Sequence, residues 1–282
     1  MIIITFDIED WFHMLGVSQT ETEREWSRYK TRIHDGTARL LDLLSMKKKK
    51  ATFFCLGWIA KKYPEVIRSI DDVGHEIGTH SMMHQLVHRQ DINAFRRDLS
   101  ESIMILEDIV GKPVRAYRAP GFSVSKYTPW VFDVLNEMRI EIDCSVLPMS
   151  NGYGGFPALD VSGPFVLVRE NYSLKMLPIS YIKIGPMRMV VSGGGYFRLM
   201  PWQIISYCVK KKEYTMTYFH PRDFDPYQPR IPGLTMARRF KSYVGIKTSF
   251  KKLSRLLDHV ECCDISTAIK KTKWRNVPHI NL

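Results

Sequence analysis

The chain has 282 residues, 45% of them hydrophobic and 25% charged, with a formal net charge of +12. These proportions exclude a disordered or fibrous chain, and the length suits a single α/β barrel with a large buried core. No apolar run reaches the roughly 18 residues of a membrane span, and the opening "MIIITFDIEDW" lacks the basic and apolar regions of a secretory signal, so a cytoplasmic location is expected.

The elements alternate along the first half of the chain. "IIITF" (2–6) is a short β-branched run, read as a buried parallel strand ending at a cluster of acids. "TARLLDLLSMKKKK" reads as an amphipathic helix and "ATFFCLG" as a second strand. "KYPEVIRSIDDVG" reads as a helix stopped by Gly74, and "HEIGTHS" as a short strand. A long amphipathic helix follows over "INAFRRDLSESIMILEDIVG", closed by Gly111. "VRAYRAPG" is a strand and turn, "PWVFDVLNEM" a helix and "IEIDCSV" a strand. This alternation to about residue 147 predicts parallel βα units in a barrel or doubly wound sheet.

Residues 148–200, with "NGYGGFP" and "VSGGGYFRLMP", read as a loop-rich insertion with antiparallel strands. "PWQIISYCVKKK" is a helix, "YTMTYFH" a strand, and residues 234–282 a mostly helical extension of the same single domain, 1–282. The cysteines Cys55, Cys144, Cys208, Cys262 and Cys263 lack CxxC spacing and read as reduced thiols, the adjacent last two pointing opposite ways on a strand. Much of the positive charge lies in short runs, at 47–50, at 210–212 and at Lys270, Lys271 and Lys273, which read first as solvated helix ends and loops. Without interleaved aromatics they do not suggest nucleic-acid binding, whereas peripheral contact with an anionic membrane is compatible with them.

Ligands of parallel α/β folds bind where the carboxyl ends of the strands meet. There the chain collects Asp7, Glu9 and Asp10 from "FDIED", His80 and His84 from "THSMMH" and Arg118 from "RAYRAPG". Asp143 and Ser145 come from "IEIDCS", and His220, Asp223 and Asp225 from "YFHPRDFD". The spacing of His80 and His84 would put both imidazoles on one side of a helical turn, suited to one metal ion. Two imidazoles and a carboxylate make a site for Zn²⁺ or a similar ion. Alternation along a strand turns Asp7 and Glu9 the same way and Asp10 elsewhere. Either of the first two could then bind metal while the other acts as a base, and Asp10 stays open if the strand breaks early. His75 and His88 read as packing residues. "VSGGGYFRLMP" reads either as a mobile loop over the site, with Tyr196 or Arg198 touching sugar, or as a structural hairpin.

"TFDIED", "THSMMH", "RAPGFS", "DCSV" and "YFHPRDFD", in this order and at this spacing, resemble the motifs of the NodB-homology polysaccharide deacetylases, carbohydrate esterase family 4. The resemblance covers roughly residues 2–225 and is nearest to the peptidoglycan deacetylase/allantoinase-like branch. It implies a distorted (β/α) barrel of about seven parallel strands and one divalent ion, most often zinc. It further implies Asp7 as catalytic base, Arg118 orienting it and His220 as general acid. His80 and His84 become metal ligands, and Gly121 offers a backbone N–H to an oxyanion. Ser145 and Tyr196 complete the expected substrate contacts. The family's usual adjacent carboxylate pair is "DIED" here, so Glu9 takes the place of the third ligand, with Asp10 as alternative.

The expected activity is metal-dependent removal of an N-acetyl or similar acyl group from an amino sugar of a polysaccharide or glycolipid precursor. Asp223 or Asp225 would keep the general acid charged. The alternatives are hydrolysis of a small cyclic amide and a non-catalytic glycan-binding barrel; the complete set of base, ligands, arginine and acid argues against the last.

Overall fold

The computed structural model describes residues 1–185 and 187–282. Its strands are β1 (Ile2–Ile3), β2 (Thr5–Ile8), β3 (Thr52–Cys55), β4 (Glu76–Thr79), β5 (Ala116–Tyr117), β6 (Ile142–Asp143), β7 (Phe165–Val168), β8 (Ser173–Met176), β9 (Ile182–Ile184), β10 (Met187–Met189), β11 (Thr215–Met216), β12 (Cys262–Cys263) and β13 (His279–Asn281). β2, β3, β4, β5, β6 and β8 pair in that order, all parallel. β1 continues this first strand below Ile4 and pairs parallel with β11. A parallel bridge between Phe6 and Phe219 carries that contact upward.

The first strand is apolar because both faces are covered: Ile2, Ile3, Ile4, Phe6 and Ile8 are all buried. Helices Ile33–Met46, Pro64–Asp72, Ile92–Val110 and Trp130–Glu137 supply the outer layer. The longest is defined at both ends. The Asp91 carboxylate accepts from the N–H groups of Asn93 and Ala94, and Gly111 ends it with φ of 66°. The last side of the barrel closes without a full ladder. Gly193 bridges Tyr218, and a Cβ at Gly193 would lie 2.0 Å from the Tyr218 carbonyl oxygen. The result is the distorted barrel expected, with a gap between β8 and β11 spanned by side chains such as Ser180, whose hydroxyl accepts from Met216 N–H.

Three expectations are corrected. Residues 148–200 are not simply an insertion: β8 within them is a barrel strand parallel to β6, with β7 antiparallel on its outer edge. The C-terminal extension is not only helical, since β12 pairs with β1 and β13 pairs with β7, both in parallel. "VSGGGYFRLMP" is neither a loop nor a hairpin: Gly194–Leu199 is a helix that packs beneath helix Met236–Tyr243. The cysteine pair does alternate on β12, Cys263 buried and Cys262 partly exposed, and all five thiols are free. Among the described residues no helix is long and apolar enough to cross a membrane.

Candidate active site

The site is built at the carboxyl ends of β2, β4, β5 and β11. Thr5 and Asp7 point the same way along β2, because one nitrogen, Arg118 Nη1, donates to both the Thr5 hydroxyl and the Asp7 carboxylate at 2.7 Å. Arg118 follows β5 and is wholly buried. Its guanidinium lies 4.2 Å from the Phe54 ring centroid and 5.7 Å from that of Phe122. Buried among rings, it needs the Asp7 charge beside it.

Glu9 lies one residue past β2. Its N–H donates to the Asp7 carbonyl at 3.0 Å, and this tight turn keeps its side chain over the barrel mouth. Glu9 Oε1 is 3.0 Å from His80 Nε2 and 2.9 Å from His84 Nε2. Burial alone would raise the Glu9 pKa. The neighbouring His84 and His220, with His80 beside them, outweigh burial and hold it well below the usual carboxylate range. Asp10 is excluded from this cluster. Its carboxylate accepts from Trp11 N–H at 2.8 Å, from Arg32 N–H at 3.1 Å and from the Thr31 hydroxyl.

His80 and His84 do not share a turn of helix, which corrects the reading of their spacing. Residues 81–84 form a loop in which Ser81 (φ 66°) and His84 (φ 54°) are left-handed. Such a backbone costs on the order of 1–2 kcal/mol per residue. Asp98, on helix Ile92–Val110, holds the loop by accepting from Met82 and Met83 N–H at 2.7 and 3.0 Å. The Ser81 carbonyl accepts from Gly57 N–H at 2.8 Å. Asp98 was not singled out from the sequence, although an acid among Phe95, Leu99 and Ser102 on the buried face of that helix is a signal.

The donor set fits a metal ion. His80 Nδ1 lies 2.7 Å from the Arg118 carbonyl, which can only accept, so the proton sits on Nδ1. A neutral His80 then turns an unprotonated nitrogen toward a carboxylate. Among the described residues, His84 Nε2 is buried without a hydrogen-bond partner, despite its closeness to Glu9. A metal cation among them would satisfy all three atoms. The candidate ligand atoms of Glu9, His80 and His84 all lie within 4.8 Å of one another. His13, also missed, backs this cluster. Its ring centroid is 6.2 Å from that of His84 and 4.4 Å from that of Trp26. Burial first, then repulsion from His84 and His80, keeps His13 neutral despite Glu9.

His220 follows β11 and is the most exposed member, at 21%. Its Nε2 is 3.8 Å from Asp7 and 3.7 Å from Glu9, and its Nδ1 donates to Asp223 at 3.0 Å. Burial would lower its pKa, but Glu9, Asp223 and Asp7 raise it to about 9. Asp223 is pushed up by burial and pulled down further by Arg198, His220 and Arg222, to about 2. Asp225 takes no part in this and pairs with Arg32.

Two expected substrate contacts are corrected. Ser145 is fully buried; its hydroxyl donates to Asp143 at 2.6 Å and accepts from Ala119 N–H at 2.8 Å, so it braces β5 against β6. Burial raises Asp143 to about 6, against the Ser145 hydrogen bonds and Arg118. Arg198 is buried with its Nε 3.3 Å from Asp223, so it reaches the general-acid candidate rather than sugar. Tyr196 is 42% exposed on helix Gly194–Leu199. Gly121 has φ of 62°, a conformation that favours glycine, and it sits against Leu15 and Tyr153.

Residues 1–141, half of the chain, match the model of the polysaccharide deacetylase family, and residues 144–270 match a domain of unknown function (DUF3473). A peptidoglycan-N-acetylglucosamine deacetylase of Bacillus cereus is 31% identical over 84 residues, 30% of this chain and 31% of the relative. A chitooligosaccharide deacetylase of Azorhizobium caulinodans is 31% identical over 129 residues, 44% of this chain and 58% of the relative. The chain thus spans only about a third of the length of the Bacillus cereus relatives. Among solved structures, a candidate polysaccharide deacetylase from Mycobacterium smegmatis superposes with a TM-score of 0.69 at 20% identity, covering 100% of this chain and 92% of the other. An allantoinase superposes with a TM-score of 0.57 at 13% identity, covering 98% of this chain and 86% of the other. At these identities the two structures speak for the fold.

Proposed function

Because the chain belongs to the polysaccharide deacetylase family, we propose that it hydrolyses the N-acetyl amide of an amino sugar in a glycan or glycolipid precursor. The observation that carries this reading is the convergence of Glu9, His80 and His84 with Asp7 and His220 at one barrel mouth. Glu9, His80 and His84 would hold a divalent ion, zinc by the chemistry of the donors. That ion supplies positive charge that polarises a carbonyl and acidifies water.

The chain's own groups account for the proton movements. Asp7 Oδ1 is tied to Arg118, which leaves Oδ2 free to take the proton of an attacking water. Arg118 is held between Thr5, Asp7 and Phe54, so the base cannot swing away. His220, charged through Asp223, donates from Nε2 to the amine nitrogen as the carbon–nitrogen bond breaks. The amine needs that proton to leave. Gly121 N–H is the proposed donor to the oxyanion, and Tyr196 the proposed sugar contact at the rim.

A small cyclic amide is the second reading, favoured by the closed mouth: Asp7, Glu9, His80 and His84 are each no more than 6% exposed. The test is amine release from N-acetylglucosamine oligomers and from lipid-linked N-acetyl sugars by zinc-loaded protein, beside ring opening of a cyclic ureide. Turnover of the sugars that disappears in Asp7→Asn supports the first reading. Turnover of the ureide alone replaces it with the second, and binding of glycan without turnover of either would leave a non-catalytic barrel.

A further inference from the structure

Helix Met236–Tyr243 belongs to the half of the chain that matches a domain of unknown function, and its two faces are unlike. The inner face is fastened beside the active site. Buried Arg198 donates to the Ser242 carbonyl at 2.7 Å and to that of Lys241 at 2.9 Å, while its Nε meets Asp223. Arg238 donates to the Tyr153 hydroxyl at 2.7 Å and to the Leu15 carbonyl, the two residues that flank Gly121.

The outer face carries Met236, 79% exposed, and Phe240, 58% exposed, one turn apart. With 3.6 residues per turn, Arg239 and Lys241 fall on opposite sides of this apolar stripe, and both are exposed. We propose that this helix is an interfacial anchor that seats the barrel mouth on an anionic lipid bilayer.

Two large apolar side chains held outward on a rigid helix are at home in the acyl boundary of a bilayer. The cations beside them select negatively charged headgroups. A second copy of the chain fits poorly, because it would bring Arg239 and Lys241 and a net charge of +12 against their like. A soluble polyanion would engage the cations and leave Met236 and Phe240 in water. The fastening to Leu15, Tyr153 and Arg198 gives the anchor a fixed place at the rim, so a docked bilayer lies next to the mouth. The inference goes beyond the deacetylase reading, since lipid partitioning is read without turnover.

The experiment is co-sedimentation of the full chain with phosphatidylcholine vesicles and with vesicles also containing phosphatidylglycerol. Wild type is expected on the anionic vesicles only. Met236→Ser/Phe240→Ser should weaken that partitioning about tenfold or more, and Arg239→Gln/Lys241→Gln about fivefold per charge removed. All four residues are exposed, and an unchanged melting temperature and metal content show that the variants are folded. Phe240→Trp adds a direct reading: its emission should shift to the blue on anionic vesicles. Failure of wild type to bind overturns the proposal. So does equal binding by Met236→Ser/Phe240→Ser, which would assign the attraction to the lysine runs. An unshifted tryptophan on bound protein overturns it as well, and self-association abolished by Met236→Ser/Phe240→Ser without vesicle binding would make the occupant a second copy.

Discussion

The two halves of the barrel contribute to the site in different ways. Residues 1–147 place Asp7, Glu9, His80, His84 and Arg118 at or past the ends of the parallel strands β2, β4 and β5. Residues 148–282 place a single reactive group, His220, and surround it with braces: Asp223 on its ring, Arg198 on Asp223 and helix Met236–Tyr243 on Arg198. The first half sets most of its groups by strand register, with Asp98 holding the loop that carries His84, and the second by a relay of side-chain contacts. Register is rigid and local, whereas a relay of side chains can be loosened one link at a time. Substitutions in the first half should therefore abolish an elementary capacity, and those in the second should tune one.

The largest effect is expected from His80→Ala/His84→Ala. Removing two of the three proposed ligands should abolish stoichiometric metal and lower turnover by about three orders of magnitude or more. Elemental analysis of chelator-free protein reads the first and an amine-release assay the second. Tight metal surviving in this variant would remove the site from the first half altogether.

Asp7→Asn should retain metal and lose about 10²- to 10⁴-fold in turnover. It should also lower the melting temperature, because breaking a buried ion pair typically costs about 3–5 kcal/mol and Arg118 is wholly buried. Glu9→Gln should do the reverse, losing metal first. If the two variants exchange phenotypes, the roles of base and ligand are exchanged as well.

His220→Ala should cost about 10²-fold or more on an amide and much less on an activated ester, whose leaving group departs without a proton. Equal losses on both substrates would deny it the role of acid.

Asp223→Asn gives a smaller, pH-dependent effect. The His220 pKa is raised in the fold from the ordinary 6.5 to about 9. The stabilisation it brings is therefore complete below about pH 6.5 and is lost as pH rises through about 9. In metal-free protein the melting temperature should fall across that window, and Asp223→Asn should flatten the fall. In the pH–rate profile the basic limb should move to lower pH. Asp223 itself is lowered to about 2, so its own contribution is present above about pH 3.8 and lost only as pH falls through about 2. Arg198→Gln should move the basic limb less than Asp223→Asn, since it leaves the Asp223 charge in place. A limb unmoved in both variants would make the second half's braces structural only.

Much of the site is already determined by the sequence. A run such as "IIITFDIED" is an apolar strand with acids at its end whatever surrounds it, and a period of two decides that Asp7 and Glu9 share a side. The order of "THSMMH", "RAPG" and "YFHPRD" behind it places the histidines and the arginine at successive strand ends. What only the tertiary structure decided depends on partners distant along the chain. Two-residue β12 is too short to carry periodicity and β8 alternates over only four residues, and they become barrel strands because β1 and β6 pair with them. Residues 81–84 avoid a helical turn because Asp98 and Gly57 hold their backbone in place. Ser145 faces inward because Asp143 and Ala119 N–H bind its hydroxyl, and Arg198 turns to Asp223 because both are buried together. A side chain's local pattern determines which way it can point, but the charge or hydrogen bond it meets there comes from another part of the chain, and burial makes that meeting decisive.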